Sequence, residues 1–329
     1  MFAGLLNKGF RGSLALLITV FVFSAIICYL VPFSIEIRNY PNLFYNYFTQ
    51  YLSNKALIVA INFLFIGIGV LLISLISVNQ EVVEKQNYFP VFIYLLLGIA
   101  CVEPFQASPQ IFTNVFVLFS IYKLLDTYRS ENVLGQIFEA AFWLCVSSFI
   151  TISSIICFPL FFIILLILRP FNWREWVIAL MGFFLPMFIY ECMSYLSNFN
   201  QWYFFDATTL YFQFLKVPSF SEYFLPLSVL LFVLLFISII SGLFSGFGNT
   251  VKKQRSRSIL LWFLFFSTFG FFSGGANSSS IILTYAFPLS FFIGDFLFGI
   301  KQIKITNTIL ALLIFCVVLI FMGRFGLFS

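Results

Sequence analysis

Ala56-Leu-Ile-Val-Ala-Ile-Asn-Phe-Leu-Phe-Ile-Gly-Ile-Gly-Val-Leu-Leu-Ile-Ser-Leu-Ile-Ser77 carries no charge over the length a helix needs to cross a bilayer core. Lys55 closes it on one side, and Glu81 and Glu84 follow on the other. Working outward, the same pattern recurs near 13–33, 89–102, 109–125, 133–152, 155–168, 176–196, 223–243, 259–273, 281–299 and 308–323. An apolar chain in lipid must satisfy its backbone hydrogen bonds internally, so these runs predict helices. The expected fold is all-α, a polytopic transmembrane helical bundle of about eleven spans, within a range of about nine to twelve; three of the runs are shorter than ideal. With 62% hydrophobic and 9% charged residues, residues 1–329 leave no stretch for a soluble domain and read as a single integral membrane domain.

Thirteen of the 17 Lys and Arg residues fall in alternate gaps. With the N-terminus cytoplasmic, Lys8, Arg11, Lys85, Lys123, Arg129, Arg169, Arg174, Lys252, Lys253, Arg255, Arg257, Lys301 and Lys304 lie inside, and Arg38, Lys55, Lys216 and Arg324 lie outside. That bias predicts a bacterial inner-membrane protein with a periplasmic C-terminus, external loops at about 34–55 and 197–222, and a basic cytoplasmic loop at about 244–258. The first run follows Lys8 and Arg11 as a signal peptide would, but its length and the lack of a small-x-small cleavage site point to a retained span.

The chain has no histidine, which removes four-His iron oxygenases, His-ligated haem, most catalytic zinc sites and Ser–His hydrolases. Its six cysteines are scattered singly through apolar runs, without a C-x-x-C pair, and read as packing residues. No Walker or dinucleotide glycine motif occurs, no cofactor or metal site is identified, and the need for a divalent metal is open. The net charge of +5 is explained by insertion rather than by nucleic acid, so membrane lipid and envelope proteins are the expected partners.

Carboxylates near spans are costly, about 2.5–3.5 kcal/mol for a central charge. Glu139, Glu191 and Asp295 lie within a few turns of a span end and read either as local structural groups, with snorkelling to relieve Glu139, or as members of a buried pair or proton-linked site; Lys301 and Lys304 are the cations near Asp295 in sequence. The external carboxylates carry more chemistry. Glu36 sits in Ile35-Glu-Ile-Arg-Asn-Tyr-Pro-Asn-Leu-Phe-Tyr-Asn-Tyr-Phe48, a segment suited to headgroup depth. Either it faces a lipid-linked substrate, or it pairs with Arg38 in an aromatic belt. Glu103 precedes a proline-bounded turn, Pro104-Phe-Gln-Ala-Ser-Pro-Gln110, as an exposed helix end or a functional mouth. Gly274-Gly-Ala-Asn-Ser-Ser-Ser280 is either an anion-binding nest or a tight connection. On the other side, Arg169-Pro-Phe-Asn-Trp-Arg-Glu-Trp176 combines two indoles with two guanidinium groups, so Arg169, Trp173, Arg174 and Trp176 read as an interfacial anchor.

That RPFNWREW run, together with Tyr285-Ala-Phe-Pro-Leu-Ser-Phe-Phe292, resembles an uncharacterised family of Bacteroidota multi-pass membrane proteins. More distantly, the order of a first span, the acidic aromatic segment 36–48, the turn Ser108-Pro-Gln-Ile-Phe112 and the late Tyr285–Leu289 span is similar to GT-C membrane glycosyltransferases. The resemblance implies a GT-C-like arrangement and transfer of sugar from a polyprenyl-phosphate donor in envelope glycan or polyprenyl-lipid metabolism. In that reading Glu36 is the base, Glu103 supports it, and Arg38, Tyr40, Gln110 and Asn114 bind substrate. The chain departs from the GT-C pattern where Gln110 and Asn114 stand for a second acid, and Ser278–Ser280 for a basic residue. A non-catalytic scaffold or subunit of an envelope assembly is the rival expectation, and a secondary transporter the third.

Overall fold

The computed structural model describes residues 10–30, 54–79, 87–102, 108–128, 130, 133–196, 222–244, 251–271, 278–300 and 302–324. Among the described residues there are eleven α-helices and no strand: α1 (Phe10–Leu30), α2 (Lys55–Asn79), α3 (Phe89–Cys101), α4 (Pro109–Asp126), α5 (Leu134–Ile150), α6 (Cys157–Leu168), α7 (Trp173–Leu196), α8 (Leu225–Phe244), α9 (Val251–Phe271), α10 (Ser278–Gly299) and α11 (Ile303–Arg324). Short 3-10 segments, Ile152–Ile156 and Glu222–Phe224, lead into α6 and α8.

Each apolar run therefore becomes a helix, but the helices are not equal. Among the described residues, five segments, Lys55–Val78, Trp173–Met193, Glu222–Gly242, Ile282–Gly299 and Ile303–Gly323, are long and apolar enough to cross a membrane. Helix α3 has 13 residues and α6 has 12, about 20 and 18 Å at 1.5 Å per residue, short of a core of about 30 Å. Every residue of α3 is buried, so it is shielded by neighbouring helices along its whole length.

Helix starts follow local chemistry. Asn54 accepts a bond from the Ala56 N–H, Asn87 from Phe89 and Asn172 from Arg174, satisfying donors that a first turn leaves open. The Asn172 cap starts α7 at Trp173, three residues before the apolar run, and brings Trp173 to Trp176 into the helix. Helix α9 likewise begins at Val251, so the basic run expected in a loop is helical.

Helix α3 sits at the centre, packed against α10 and flanked by α1, α2 and α11. Gly294 of α10 lies on Pro90 of α3: a Cβ there would stand 2.6 Å from the proline ring, so only glycine permits this approach. Side-chain bonds then gather alternate gaps at common ends. At one end Asn87 donates to the Gly294 carbonyl, Arg169 to those of Thr127 and Ser130, Arg255 to that of Leu168, and Arg257 to that of Gly242. At the other, the Ser108 N–H donates to Asn62, Thr151 to Thr113, and Tyr223 lies against Gly323. We call these the basic end and the opposite end.

Candidate functional site

The first two turns of α4 divide two kinds of surface. Gln110, Thr113, Asn114 and Val117, spaced i, i+3, i+4 and i+7, share one stripe; Phe112 and Phe116, one turn apart, share another. Ser108 precedes the helix in extended conformation and Pro109 opens it, which sets this stripe near the opposite end.

The polar stripe lines a cavity of about 50 Å³ that also includes Ser154, Cys157, Ser267 and Thr284. Asn114 is 8% exposed, and its amide nitrogen donates to the Tyr94 hydroxyl at 3.2 Å and to the Leu283 carbonyl at 3.3 Å. The Thr113 hydroxyl donates to the Pro109 carbonyl and accepts from Thr151. Ser154 donates to the Thr151 carbonyl, and Ser267 to that of Phe263. At the break between α5 and α6 the Thr151 carbonyl accepts from Ser154, and Ser147 and Ser148 return their hydroxyl protons to carbonyls of α5.

The aromatic stripe lines a larger cavity, about 620 Å³, closed by α2, α5 and α7. Phe65, Phe112, Phe116 and Phe149 supply rings, Pro186 and Ile189 the α7 wall, and Tyr190 a hydroxyl-bearing side chain. Phe65 meets Phe112 edge-on at 4.4 Å, and Phe116 stacks on Trp143 at 5.5 Å, so the wall is built from mutually packed rings. Helix α7 approaches α5 through Gly182, where a Cβ would lie 2.7 Å from the Phe138 carbonyl oxygen.

The basic end is ionic instead. The Arg169 Nε stands 3.3 Å from Glu175 Oε1, and the Glu175 side chain is 3% exposed. Its Oε2 and the Trp176 indole N–H are buried without a hydrogen-bond partner. Trp176 packs against Phe162 and Phe171, whereas Trp173 is 62% exposed with the Arg174 guanidinium 5.9 Å from its ring centre. The four anchor residues therefore separate: Trp173 and Arg174 face out, and Arg169 and Trp176 are drawn inward. Two carboxylates also find partners that sequence proximity did not indicate. Asp295 pairs with Arg257 at 2.9 Å and Lys253 at 3.5 Å, both on α9, rather than with Lys304. Glu139, isolated in sequence, meets Lys123 of α4 at 2.7 Å.

Of the expected substrate-binding residues, Gln110 and Asn114 are brought together on the small cavity. Glu36, Arg38, Tyr40 and Glu103 lie outside the described residues, as do Gly274 to Asn277. Sequence reasoning missed Thr113, Tyr94, Ser154, Ser267 and Thr284, and the aromatic wall. The signal for the first was the helical spacing of 110, 113 and 114 in an otherwise apolar run. The wall is hidden in sequence among 51 phenylalanines.

No curated protein and no solved structure matches this chain. A family model does match, over residues 42–327, which spans α2 to α11, both cavities and the ionic end, and leaves out α1. The chain belongs to the family of unknown function DUF6427.

Proposed function

We propose that this protein binds a lipid-linked substrate at its opposite end, taking the hydrocarbon chain into the aromatic cavity, and acts in envelope glycan or polyprenyl-lipid metabolism of a bacterial inner membrane. The observation that carries the reading is the cavity itself. At about 620 Å³ it falls within the range of about 300–1,000 Å³ typical of small-molecule sites. Its lining suits a long apolar chain, because a polar headgroup placed there would lose its hydrogen bonds to water, at a cost of about 2–7 kcal/mol per group. The chain would enter from the bilayer, leaving the headgroup at the surface.

The chemistry follows the GT-C resemblance. The segments carrying Glu36 and Glu103 directly precede α2 and α4 in sequence, two of the helices that wall the cavity. In the proposed reaction Glu36 accepts the proton of the acceptor hydroxyl as its oxygen attacks the anomeric carbon. The bond from that carbon to phosphate oxygen breaks, and polyprenyl phosphate leaves with the electron pair. Glu103 supports the base and Arg38 contacts phosphate. The basic end is cytoplasmic and the site periplasmic, in keeping with the charge bias.

The test is sugar transfer in right-side-out membrane vesicles supplied with polyprenyl-phosphate sugars and an impermeant acceptor. Glu36→Gln keeps shape but removes the proton acceptor, and is expected to cut turnover about 100-fold or more at unchanged abundance. Transfer that survives this substitution undiminished would falsify the mechanism. No transfer from any donor, with the protein at normal abundance, favours the rival reading of a non-catalytic scaffold.

A further inference from the structure

We infer that the small cavity on the polar stripe of α4 is a binding site for a vicinal diol. The inference is independent of the chain-binding reading, since the two cavities use different stripes of the helix and share no lining residue.

The hydrogen bonds inside the protein decide what the lining offers. Thr113, Ser154 and Ser267 give their hydroxyl protons to backbone carbonyls. Asn114, more than nine-tenths buried, commits its amide nitrogen to Tyr94 and Leu283. What these four groups have left for a ligand is acceptor oxygen: the Asn114 Oδ1, two lone pairs on Ser267, and one each on Thr113 and Ser154, whose hydroxyls already accept from Thr151 and Ser147. The Gln110 amide, half-buried at the rim, adds a donor and an acceptor. In these groups free acceptors outnumber free donors, which favours a ligand that brings O–H or N–H donors over an anion.

A cation would also supply favourable charge, but two features oppose it. Among the described residues that line it none is acidic, so no counter-ion stands in that part of the wall. Gln110 stands in the first turn of α4, so the N-terminus of that helix, the positive end of its dipole, borders the cavity. A neutral donor is left. Size narrows it further: a cavity of about 50 Å³ holds about three or four water-sized groups. Two carbons and two hydroxyls fill that space, and the hydroxyls match acceptors spread over α4, the 3-10 segment and α9.

Such a diol comes either from a sugar ring or from the glycerol of a lipid. Equilibrium binding to the full-length protein in phosphatidylcholine nanodiscs separates the cases, using tritiated probes with the same octyl-length chain. Octyl glucoside and mono-octanoylglycerol carry diols, octanol a single hydroxyl, and octyltrimethylammonium a charge. The diol probes are expected to bind about tenfold more tightly than octanol, the difference of roughly one hydrogen bond. Whichever of the two binds better identifies the source. Ser267→Ala and Gln110→Leu, which remove lining groups while leaving the bonds of Asn114 in place, should each erase most of that preference without changing the melting temperature. Octanol binding as well as the diols, tighter binding of the ammonium probe, or a preference that persists in both variants would overturn the assignment. Glu36→Gln should leave this binding unchanged.

Discussion

The two ends of the bundle solve the same problem, polar groups beside lipid, with different chemistry. At the basic end, full charges are consumed by fixed partners: Arg169, Arg255 and Arg257 each bond backbone carbonyls, and Arg169 and Arg257 also pair with acids. Arg255 adds a contact over the Tyr128 ring at 5.4 Å. These groups tie connecting segments together. Towards the opposite end, neutral amides and hydroxyls border space rather than filling it. Charge at the basic end therefore goes with links between connecting segments, and the neutral polar stripe goes with open space.

The largest expected effect lies within the RPFNWREW run and tests whether its two arginines do the same job. Arg169→Leu removes two bonds to carbonyls and leaves the Glu175 carboxylate buried without its cation. Losing one partner of a buried pair costs about 3–5 kcal/mol, and the low end is expected because Arg169 keeps 22% exposure. Arg174→Leu removes a side chain whose contact is the exposed Trp173, and should stay within about 0.5 kcal/mol. Thermal unfolding of the two purified variants decides it. Equal losses would mean that the run is a uniform anchor and that the division into inner and outer residues is wrong.

A smaller effect is expected from Asn114→Leu. The Leu283 carbonyl and the Tyr94 hydroxyl each lose a bond to the amide nitrogen. Interhelical hydrogen bonds in membrane proteins average about 0.6 kcal/mol and reach about 1.7, so the loss should fall in that interval. A loss as large as that of Arg169→Leu, measured by the same unfolding assay, would erase the energetic contrast between the two ends.

These cases show why the sequence was legible in some respects and opaque in others. Helix positions follow from apolar run length, a local property, and the runs near 56–77 and 109–125 differ from α2 and α4 by at most two residues at either end. The start of α7 moved more, because Asn172 extends the helix into a polar stretch that hydropathy discards. Length in residues also says nothing of shielding, so α3 and α6 count as runs yet are too short to bridge a bilayer core unaided. Partners were the hardest to read. Glu139 and Lys123 are 16 positions apart, and Asp295 and Arg257 are 38 apart. Only the packing of α4 on α5, and of α9 on α10, brings them together. The small cavity was half legible for the same reason: one helix supplies Gln110, Thr113 and Asn114 at readable spacing, whereas Ser154, Ser267 and Thr284 arrive from three other elements.

The smallest effect should come from the pair that looks tightest. Lys123 Nζ stands 2.7 Å from Glu139 Oε2, the shortest of these ion pairs, yet the side chains are 34% and 53% exposed. Water and headgroups compete for both ends, and ordering two long side chains cancels much of the attraction. Exposed pairs are worth about 0.2–1 kcal/mol. Lys123→Met should therefore shift the unfolding midpoint only slightly, and raising ionic strength should shrink the difference from wild type further. Glu139→Gln should match it, because neither charge is buried enough to be costly when left alone. A loss from Lys123→Met comparable to that from Arg169→Leu would show that distance, not burial, ranks the ion pairs of this bundle, and the contrast drawn between its two ends would lose its energetic basis.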